Sequence, residues 1–581
     1  MSPTVALVMI VRNEEAYLPA CLERVGNAVD EVVIVDTGSR DRTVEIARRY
    51  TSKVYDFPWQ DDFAAARNYA LDHVDSEWVL YLDADELLDT TDGDLRSLVA
   101  DASGCEAFFL PLHNLTGATS GDFQRFPVLR LFRNRPEYRF RGPIHEQVTV
   151  ARREAVGLAP APVIWHRPLS GKERRRKRER NLGLLRRALA ADPENPFLLY
   201  YLGVEWLGLG RVARALPCFE HVRRQLTDGH LLFRAPAVRH LMACLRALGR
   251  HDEAICVVLE ESLRYPQYTD LFFDGGVLFE EKGEYEVAIK WFQEALSCGR
   301  PPLLFAHTNG TEGFLSLYHL GYCHEKLGRT HQAREFYEKA LTANPAYPYP
   351  LYSLFLLLFT AAGPKAALDY FRAAGHLGHP ERAAILADLF FQAGFPEPAY
   401  VCLREAQAHD RPEGDVRRLV HLCVYGGRPD EALSLIRGLR DAGTSPDPQL
   451  VTDEAVALIL KGDYPAARAA ALSLWRRPED RHRSLALLGL LSRLAGGPGR
   501  CRPEKTREPE VAAVLLDLLE NCLRHPPGTP AYPRLAGEIM AFLLELSPQG
   551  VTALCYYLEK KAGALRHLLA DKYGPAGRFV P

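Results

Sequence analysis

A glycine followed five residues later by an alanine recurs between residues 210 and 467, and this repeat restricts the possible folds more than any other feature of the sequence. The pairs, with one compressed copy at Gly363/Ala367, are Gly210/Ala215, Gly249/Ala254, Gly283/Ala288, Gly328/Ala333, Gly394/Ala399, Gly427/Ala432 and Gly462/Ala467. In four copies an aromatic residue stands four positions after the alanine: Phe219, Phe292, Tyr337 and Phe371. Such a repeat predicts stacked helix pairs, in which small residues let the helices approach and the aromatic side chain fills the remaining space.

This pattern resembles the tetratricopeptide repeat. The longest interval between two of the glycines predicts an inserted loop around Arg300–Gly310. The periodicity fades after about residue 495, where glycines and a short charged stretch indicate a linker into a last helical cap. We therefore expect an all-α tetratricopeptide-like solenoid over residues 196–495 and a helical cap over residues 496–581.

Before residue 170 the sequence has a different rhythm, in which short β-branched runs alternate with amphipathic helical stretches. The expected strands are Val5–Val11, Glu31–Val35, Lys53–Tyr55 and Trp78–Leu82. This alternation predicts an α/β domain with a mostly parallel, Rossmann-like sheet over residues 1–170, and a basic helical linker follows over residues 171–195. Ligands of such sheets lie beyond the carboxyl ends of the strands, so the chemistry is expected at that edge.

Composition excludes several classes of protein. The 581 residues carry a net charge of −3, so no overall positive field attracts nucleic acid. The 12 cysteines form no CxxC pair, which argues against a zinc module and a secreted disulfide framework. No apolar run approaches the roughly 20 residues of a membrane span. We expect a soluble, cytoplasmic protein without a transmembrane segment.

Two carboxylates follow the fourth expected strand directly. Asp83 and Asp85 are two residues apart on an extended segment, so their side chains point the same way. Paired oxygen ligands at a strand end suit Mg²⁺ or Mn²⁺, which share their remaining positions with phosphate oxygens. The alternative is a polar turn followed by a helix cap.

Four segments of the first 90 residues together resemble the successive motifs of family 2 glycosyltransferases. They are Val8–Glu15, Val33–Thr43, Ala66–Ala70 and Leu82–Glu86. The resemblance implies a GT-A catalytic domain, a nucleotide-diphosphate sugar donor such as a uridine diphosphate sugar, a divalent metal bound through a DxD motif, and inversion at the anomeric carbon.

The resemblance also implies roles for individual residues. Asp36 would bind the base, Arg67 would lie beside the nucleotide and Asp83 would approach the ribose. The donor-binding residues are expected to be Ile10, Arg12, Asp36, Arg67, Asp83 and Ala84, and the metal ligands Asp85 and His166. The alternatives are a capping turn at Asp36, a surface ion pair at Arg67 and a core role for His166, while Glu14 and Glu15 are expected to cap the first helix.

A catalytic base is required, because the acceptor hydroxyl or thiol loses its proton as it attacks the anomeric carbon. Phe140–Glu146 resembles a late segment of the family that carries a carboxylate, which makes Glu146 the candidate base and Asp122 the fallback. His145 is expected to be structural or to face the acceptor. Diphosphate could be bound by the basic run Lys172–Arg180, which is otherwise a solvated helix, or by an arginine between Arg130 and Arg141.

A long repeat surface suits a polypeptide better than a small sugar acceptor. The order of the two regions resembles that of sublancin-type S-glycosyltransferases and of O-glycosyltransferases that modify flagellin. The sequence therefore favours transfer to a Ser, Thr or Cys side chain of a protein or peptide. A transferase for lipopolysaccharide core or another surface glycan, and a non-catalytic repeat scaffold, remain alternatives, and a homodimer through the repeats is left open.

Overall fold

The computed structural model describes residues 3–115, 123–150, 152–168, 171–406, 413–444, 447–496, 507–523 and 531–546. The chain forms two compact units, residues 1–350 and residues 351–581. The sheet and the first repeat helices belong to the first unit, and the second unit is helical throughout its described residues. The expected domain limits at residues 170, 195 and 495 stay a prediction, and much of the expected terminal cap lies outside the described residues.

One mixed sheet dominates the first unit. Its strands are β1 Val5–Val11, β2 Glu31–Asp36, β3 Val54–Asp56, β4 Trp78–Tyr81, β5 Glu86–Asp89, β6 Ala107–Leu115, β7 Phe123–Arg133, β10 Val156–Leu158, β11 Val163–His166 and β12 His307–Thr308. The order is β3-β2-β1-β4-β7-β6-β11-β5, with β10 paired to β6 and β12 to β7. A separate hairpin pairs β8 Phe140–Arg141 with β9 Gln147–Val148.

The four strands expected from the sequence are all present and are parallel to one another. The predicted fold class, an α/β domain followed by helical repeats, is confirmed. The sheet is less parallel than expected, because β7 runs antiparallel to both β4 and β6 and β5 runs antiparallel to β11. Only seven residues separate β6 from β7, too few for a crossover helix, so these two strands pair antiparallel.

The first strand is buried on both faces. The even-numbered Val8 packs with residues of α3 Phe63–Leu71, whereas Val5, Leu7 and Met9 pack with residues of α1 Leu18–Val25. A strand covered on both faces reads as a continuous apolar run, which is why Val5–Val11 lacks polar alternation. The remaining helices of this region are α2 Thr43–Ala47 and α4 Leu95–Ala100.

The rest of the chain is helical. The helices of the first unit are α5 Gly171–Ala191, α6 Pro196–Gly208, α7 Val212–Gln225, α8 Leu231–Ala247, α9 His251–Arg264, α10 Thr269–Glu281, α11 Tyr285–Cys298, α12 Phe314–Lys326 and α13 Thr330–Ala343. The helices that follow are α14 Tyr349–Ala373, α15 Pro380–Gln392, α16 Pro396–Glu405, α17 Glu413–Tyr425, α18 Pro429–Asp441, α19 Pro448–Lys461, α20 Tyr464–Trp475, α21 Arg481–Leu494, α22 Glu508–Leu523 and α23 Ala531–Glu545.

The glycine and alanine of each repeat have separate structural tasks. All eight repeat glycines have positive φ, from 70° at Gly210 to 90° at Gly394, which L-residues with a side chain rarely adopt. All eight alanines are completely buried between the two helices of their pair. The spacing of five residues therefore joins a left-handed turn to the point of closest helix approach.

Three of the four repeat aromatics, Phe219, Phe292 and Tyr337, pack on a glycine of the preceding helix. A Cβ placed on Gly276 would lie 2.6 Å from the ring of Phe292, and one on Gly321 would lie 2.6 Å from the ring of Tyr337. Both rings are fully buried. These helices approach so closely that only glycine fits there.

The loop expected around Arg300–Gly310 is present, but it is not a free projection. Its residues His307 and Thr308 form β12, which pairs with Arg125 and Gln124 of β7. Tyr268 donates to the carbonyl of Ala306 at 2.8 Å from the neighbouring repeat. The inserted loop therefore joins the repeats of the first unit to the mixed sheet.

One helix among the described residues, Tyr349–Ala373, is long and apolar enough to cross a membrane by composition, with a hydropathy of 1.5. It is interrupted at Gly363, where φ is 80° and ψ is 176°. The break is the turn of the compressed repeat, so the segment consists of two repeat helices. The ten cysteines in the described ranges are free thiols.

Candidate active site

The carboxyl ends of the parallel strands meet at one edge of the sheet. Val11 at the end of β1 lies beside Asp36 at the end of β2, and Val8 lies beside Tyr81 at the end of β4. Arg12, Asp36 and Asp83 are therefore presented at the same edge. Asp36 and Asp83 are separated by two strand spacings, or about 10 Å across the sheet.

Asp36 forms part of a turn and keeps one oxygen without a partner. Its Oδ2 accepts hydrogen bonds from the backbone N–H groups of Gly38 and Ser39, both at 2.9 Å. No helix begins between Asp36 and Thr43, so the turn at Asp36 is a local turn and does not cap a helix. The buried Oδ1 has no hydrogen-bond partner among the described residues. A buried acceptor of this kind suits an N–H donor of a bound ligand.

Arg67 is buried in α3 and bridges two carboxylates. Its Nη2 donates to Oδ1 of Asp83 at 2.8 Å, and its Nε donates to Oε1 of Glu146 at 2.5 Å. The guanidinium also lies 4.8 Å from the ring centroid of Tyr81 and 5.6 Å from that of Phe140. The alternative of a surface ion pair is wrong, because only 4% of Arg67 is exposed.

A second buried arginine reaches the same carboxylate from β7. Phe108 of β6 pairs with Leu131 and Phe109 pairs with Leu129, so Arg130 between them has no partner in the ladder. This β-bulge directs Arg130 towards Glu86, which accepts from Nη2 at 2.5 Å, and towards Asp83 at 3.5 Å. The sequence offered five arginines here without distinguishing one.

The two arginines have opposite consequences for neighbouring acids. Burial alone would raise the pKa of Asp83, but Arg67 and Arg130 outweigh burial and hold that pKa far below its usual range. Burial raises the pKa of Glu86 to about 7. Arg130 lowers this pKa, but the negative charge of Asp83 raises it further, so that the raising effects prevail. Asp83 is thus the ionised member of the pair, and its side chain is 42% exposed towards solvent.

Asp85 lies in the turn between β4 and β5, where it faces His166 and Lys177. Its Oδ2 is 3.5 Å from Nε2 of His166 and 2.9 Å from Nζ of Lys177. Nδ1 of His166 lies 2.9 Å from Oδ1 of Asn114. The turn leads into strand β5, so the alternative in which this motif caps a helix is wrong.

Asp85 and His166 could supply two ligands to a divalent cation. If Nδ1 of His166 donates to Asn114, Nε2 keeps the lone pair that metals bind, and a carboxylate oxygen lies opposite it. Mg²⁺ and Mn²⁺ in such sites also use phosphate oxygens and water. No group of three or more candidate metal ligands occurs within the described part of the chain, so the protein alone offers an incomplete ligand set.

The segment that carries Glu146 is held by its neighbours. His145 has a positive φ of 52°, and its ring stacks on that of Tyr201 in α6 at 3.7 Å between centroids. Burial and then the charge of Arg180 lower the pKa of His145 to about 4. A neutral, stacked histidine agrees with the expected structural role. The strained backbone turns Glu146 inward, where Arg67 binds it.

The expectation that Glu14 caps the first helix is wrong. Helix α1 begins at Leu18 and has no acidic residue in its first turn, and Glu15 accepts instead from Arg42. Glu14 lies near the acidic edge: burial and the charge of Asp85 raise its pKa to about 7, although Lys177 lowers it. The expected cap was wrong because the Asn13–Tyr17 segment forms a turn before the helix starts.

The basic run Lys172–Arg180 lies in the first half of α5 and contacts the site. Besides the pair between Lys177 and Asp85, Arg178 donates to Glu205 at 2.9 Å, and Arg180 lies over the ring of Phe63. A purely solvated linker helix is therefore wrong for this run. Lys177 and Arg178 are its half-buried members, and no spacing within the run distinguished them from their neighbours.

The other expected residues occupy less revealing places. Ile10 is half-buried in β1, and Ala84 is buried between the two aspartates. Arg12 is exposed just beyond β1. Asp122, the fallback base, lies outside the described residues. The structure thus brings together Arg67, Asp83 and Glu146 in one cluster and Asp85 with His166 in another.

Comparison with known proteins agrees with this geometry. Residues 6–111 match the family model of glycosyl transferase family 2, and residues 315–347 match that of the tetratricopeptide repeat. A TPR repeat-containing protein of Synechococcus elongatus is 39% identical over 211 residues, 34% of this chain and 51% of that protein. The SPbeta prophage-derived glycosyltransferase SunS of Bacillus subtilis is 27% identical over 222 residues, 35% of this chain and 49% of that protein.

A shorter match is found with the lipopolysaccharide core biosynthesis glycosyltransferase LpsC of Rhizobium meliloti, 36% identical over 98 residues, 16% of this chain and 34% of that protein. The chain spans about half the length of the first two relatives. The matches confirm the resemblance that the sequence motifs indicated. The chain therefore joins a domain of glycosyl transferase family 2 to tetratricopeptide repeats.

Proposed function

We propose that this chain is a metal-dependent, inverting glycosyltransferase that moves a sugar from a nucleotide-diphosphate donor to a Ser, Thr or Cys side chain of a polypeptide. The observation that carries the proposal is the facing pair of Asp85 and His166 at the end of β4, beside Asp83. Their place at the carboxyl edge of the sheet is where open α/β sheets bind ligands.

Each part of the donor has a candidate partner at this edge. Oδ1 of Asp36 accepts from a ring N–H of the base, and Asp83 accepts from the ribose hydroxyls. Asp83 can do so because Arg67 and Arg130 hold it ionised and in place. Lys177 lies 2.9 Å from Asp85 and supplies positive charge to the diphosphate. Mn²⁺ or Mg²⁺, bound by Asp85 and His166, would neutralise charge on the leaving diphosphate.

The reaction exchanges one bond at the anomeric carbon. The acceptor oxygen or sulfur forms a bond to this carbon from the face opposite the diphosphate, the bond to the diphosphate oxygen breaks, and the nucleoside diphosphate leaves. The acceptor proton passes to a base, for which Glu146 is the candidate. Because Arg67 binds Glu146 at Oε1, only its other oxygen can take the proton unless that ion pair opens.

The acceptor is proposed to be a protein or peptide bound by the repeats, in the cytoplasm. The match with SunS extends over 222 residues and is therefore longer than the match with the family 2 model, residues 6–111. A surface-glycan acceptor is the second candidate, and the match with LpsC favours it. A non-catalytic scaffold would retain the repeats without donor turnover.

The test is incubation of the full chain with a panel of nucleotide sugars, Mn²⁺ or Mg²⁺, and host polypeptides, with added mass and modified residue read by mass spectrometry. We expect addition to Ser, Thr or Cys in the wild type and none in Asp85→Ala, whose fold is retained because Asp85 supports no core packing. Equal activity of that variant contradicts the site assignment. Donor cleavage with transfer only to glycolipid supports the second candidate, and neither donor binding nor cleavage supports the scaffold.

A further inference from the structure

A small cavity lies where the catalytic sheet meets the repeats of the first unit. It has a volume of about 180 Å³ and opens between β7, β12, α8 and α10. Its apolar wall includes Phe126, Met242, Tyr268 and Leu278. A dry cavity of about this size accommodates one benzene-sized group.

The positive charge of Arg239, which lines this cavity, is already compensated by two carboxylates. Arg239 donates through Nε and Nη2 to Asp274 and through Nη1 to Asp270, all at 2.6–3.1 Å. Nη1 also donates to the hydroxyl of Thr308 at 3.2 Å. Because two carboxylates already bind Arg239, it does not attract an anion, and the largely apolar cavity favours an uncharged, apolar group.

The cavity lies on the same face of the sheet as the candidate metal ligands. Residues directly opposite each other in neighbouring strands point to the same face, and one such row runs from His166 through Asn114 and Gln124 to Thr308. Gln124 and Thr308 line the cavity, and Asn114 contacts His166. Three strand spacings separate His166 from Thr308, or about 14 Å.

We propose that this cavity binds an apolar side chain of the acceptor polypeptide, a phenyl or branched aliphatic group, and so selects the sequence around the modified residue. An extended chain advances about 3.3 Å per residue, so the anchoring side chain stands about four residues from the acceptor Ser, Thr or Cys. This inference rests on the proposed function and adds a specificity pocket to it.

The inserted loop explains why such a pocket exists. His307 is buried and its Nδ1 lies 2.7 Å from Asp270, while the backbone N–H of Thr308 donates to the same carboxylate at 2.7 Å. These contacts fix β12 against α10, while the strand pairing holds it against β7, and the cavity lies between these elements and α8. The long interval of the repeat therefore builds a wall of the site.

The test uses the full chain and synthetic peptides of glycine, asparagine and lysine that carry one Ser or Cys. A single Phe is moved along the peptide from one to eight residues on either side of the acceptor. Peptide binding is measured without donor by fluorescence anisotropy, and transfer is measured separately by added mass. We expect peptides with Phe three to five residues away to bind and react roughly tenfold better than the others.

Two variants connect this preference to the cavity. Ala243 lines the opening and is exposed, so Ala243→Phe blocks the cavity without disturbing the core, whereas Ala247→Phe adds the same ring farther along α8 as a control. We expect the preference to disappear in Ala243→Phe and to persist in Ala247→Phe, with unchanged donor hydrolysis in both. Binding that ignores the position of Phe, or a preference that survives in Ala243→Phe, overturns the inference. Absence of donor hydrolysis in the wild type overturns the proposed function instead.

Discussion

Lys177 is expected to compete with a divalent cation for the carboxylate of Asp85. Its Nζ lies 2.9 Å from Oδ2, and the side chain of Lys177 is 43% exposed whereas that of Asp85 is 8% exposed. A cation that binds Asp85 has to displace the ammonium, because two positive charges so close repel each other. Lys177→Met removes the charge and retains an unbranched side chain of similar length.

The size of the effect follows from the distance. Two unit charges 2.9 Å apart attract each other by about 1.4 kcal/mol in a water-like dielectric, which the exposed position of Lys177 justifies. Ordering a flexible lysine offsets part of this energy, which leaves about 1 kcal/mol. We therefore expect Lys177→Met to bind Mn²⁺ roughly five times more tightly than the wild type.

The assay is titration of the full chain with Mn²⁺ in the absence of donor, with free Mn²⁺ measured by electron paramagnetic resonance. Lys172→Met is the matched control, because Lys172 is an exposed lysine of the same helix. The affinity for a nucleoside diphosphate should change in the opposite direction. Lys177→Met should bind the nucleotide more weakly than the wild type, because the diphosphate loses a cationic partner. Unchanged or weaker Mn²⁺ binding by the variant without nucleotide refutes the reasoning.

Three further predictions concern stability. Arg67→Met should lower the free energy of unfolding, measured by urea titration, by about 3 kcal/mol, because buried Glu146 loses its partner. Arg49→Met, which breaks an exposed ion pair, is the control and should lower it by less than about 0.5 kcal/mol. Equal losses in the two variants would contradict this account. Gly276→Ala should lower the free energy of unfolding by about 1–3 kcal/mol, because the added methyl group clashes with Phe292. Gly438→Ala has open space around it and should leave the free energy of unfolding unchanged or raise it. Burial lowers the pKa of His307, but Asp270 and Glu312 outweigh burial and raise this pKa above its usual value of 6.5. Protonated His307 therefore stabilises the fold fully below about pH 6.5, and this stabilisation is lost as the pH rises through the folded-state pKa. The melting temperature of the wild type should therefore fall as the pH rises above about 6.5, and by more than that of His307→Gln; parallel pH profiles would oppose this assignment.

The sequence predicted the framework of the site because its signals are local. A parallel strand buried on both faces has to be a continuous apolar run, and Val5–Val11 shows that run directly. The repeats could be predicted equally well, because each of them needs a glycine in a left-handed turn and a small buried alanine at a fixed separation in sequence. The edge that presents Asp36 and Asp83 follows from strand order alone.

The cationic partners of the site could not be predicted in the same way, because they depend on non-local pairing. Arg130 is selected from five neighbouring arginines by a bulge, and a bulge depends on the register between β6 and β7. Lys177 is selected from a charged run by the direction of α5 relative to the sheet. Glu14 was misread because an acidic residue before a helix usually indicates a cap, whereas here a turn intervenes.

These pairings also decide how the site should be tested. Arg67 is buried and pairs with both Asp83 and Glu146, so removal of either carboxylate leaves part of a buried guanidinium charge uncompensated. Loss of activity in an alanine variant at Asp83 or Glu146 would then mix lost chemistry with lost structure. Amide variants, Asp83→Asn and Glu146→Gln, keep an oxygen that can accept from Arg67 and remove only the charge. Asp85 differs because its partners Lys177 and His166 are partly exposed and can turn to solvent, which makes it the residue where an alanine variant reports on chemistry alone.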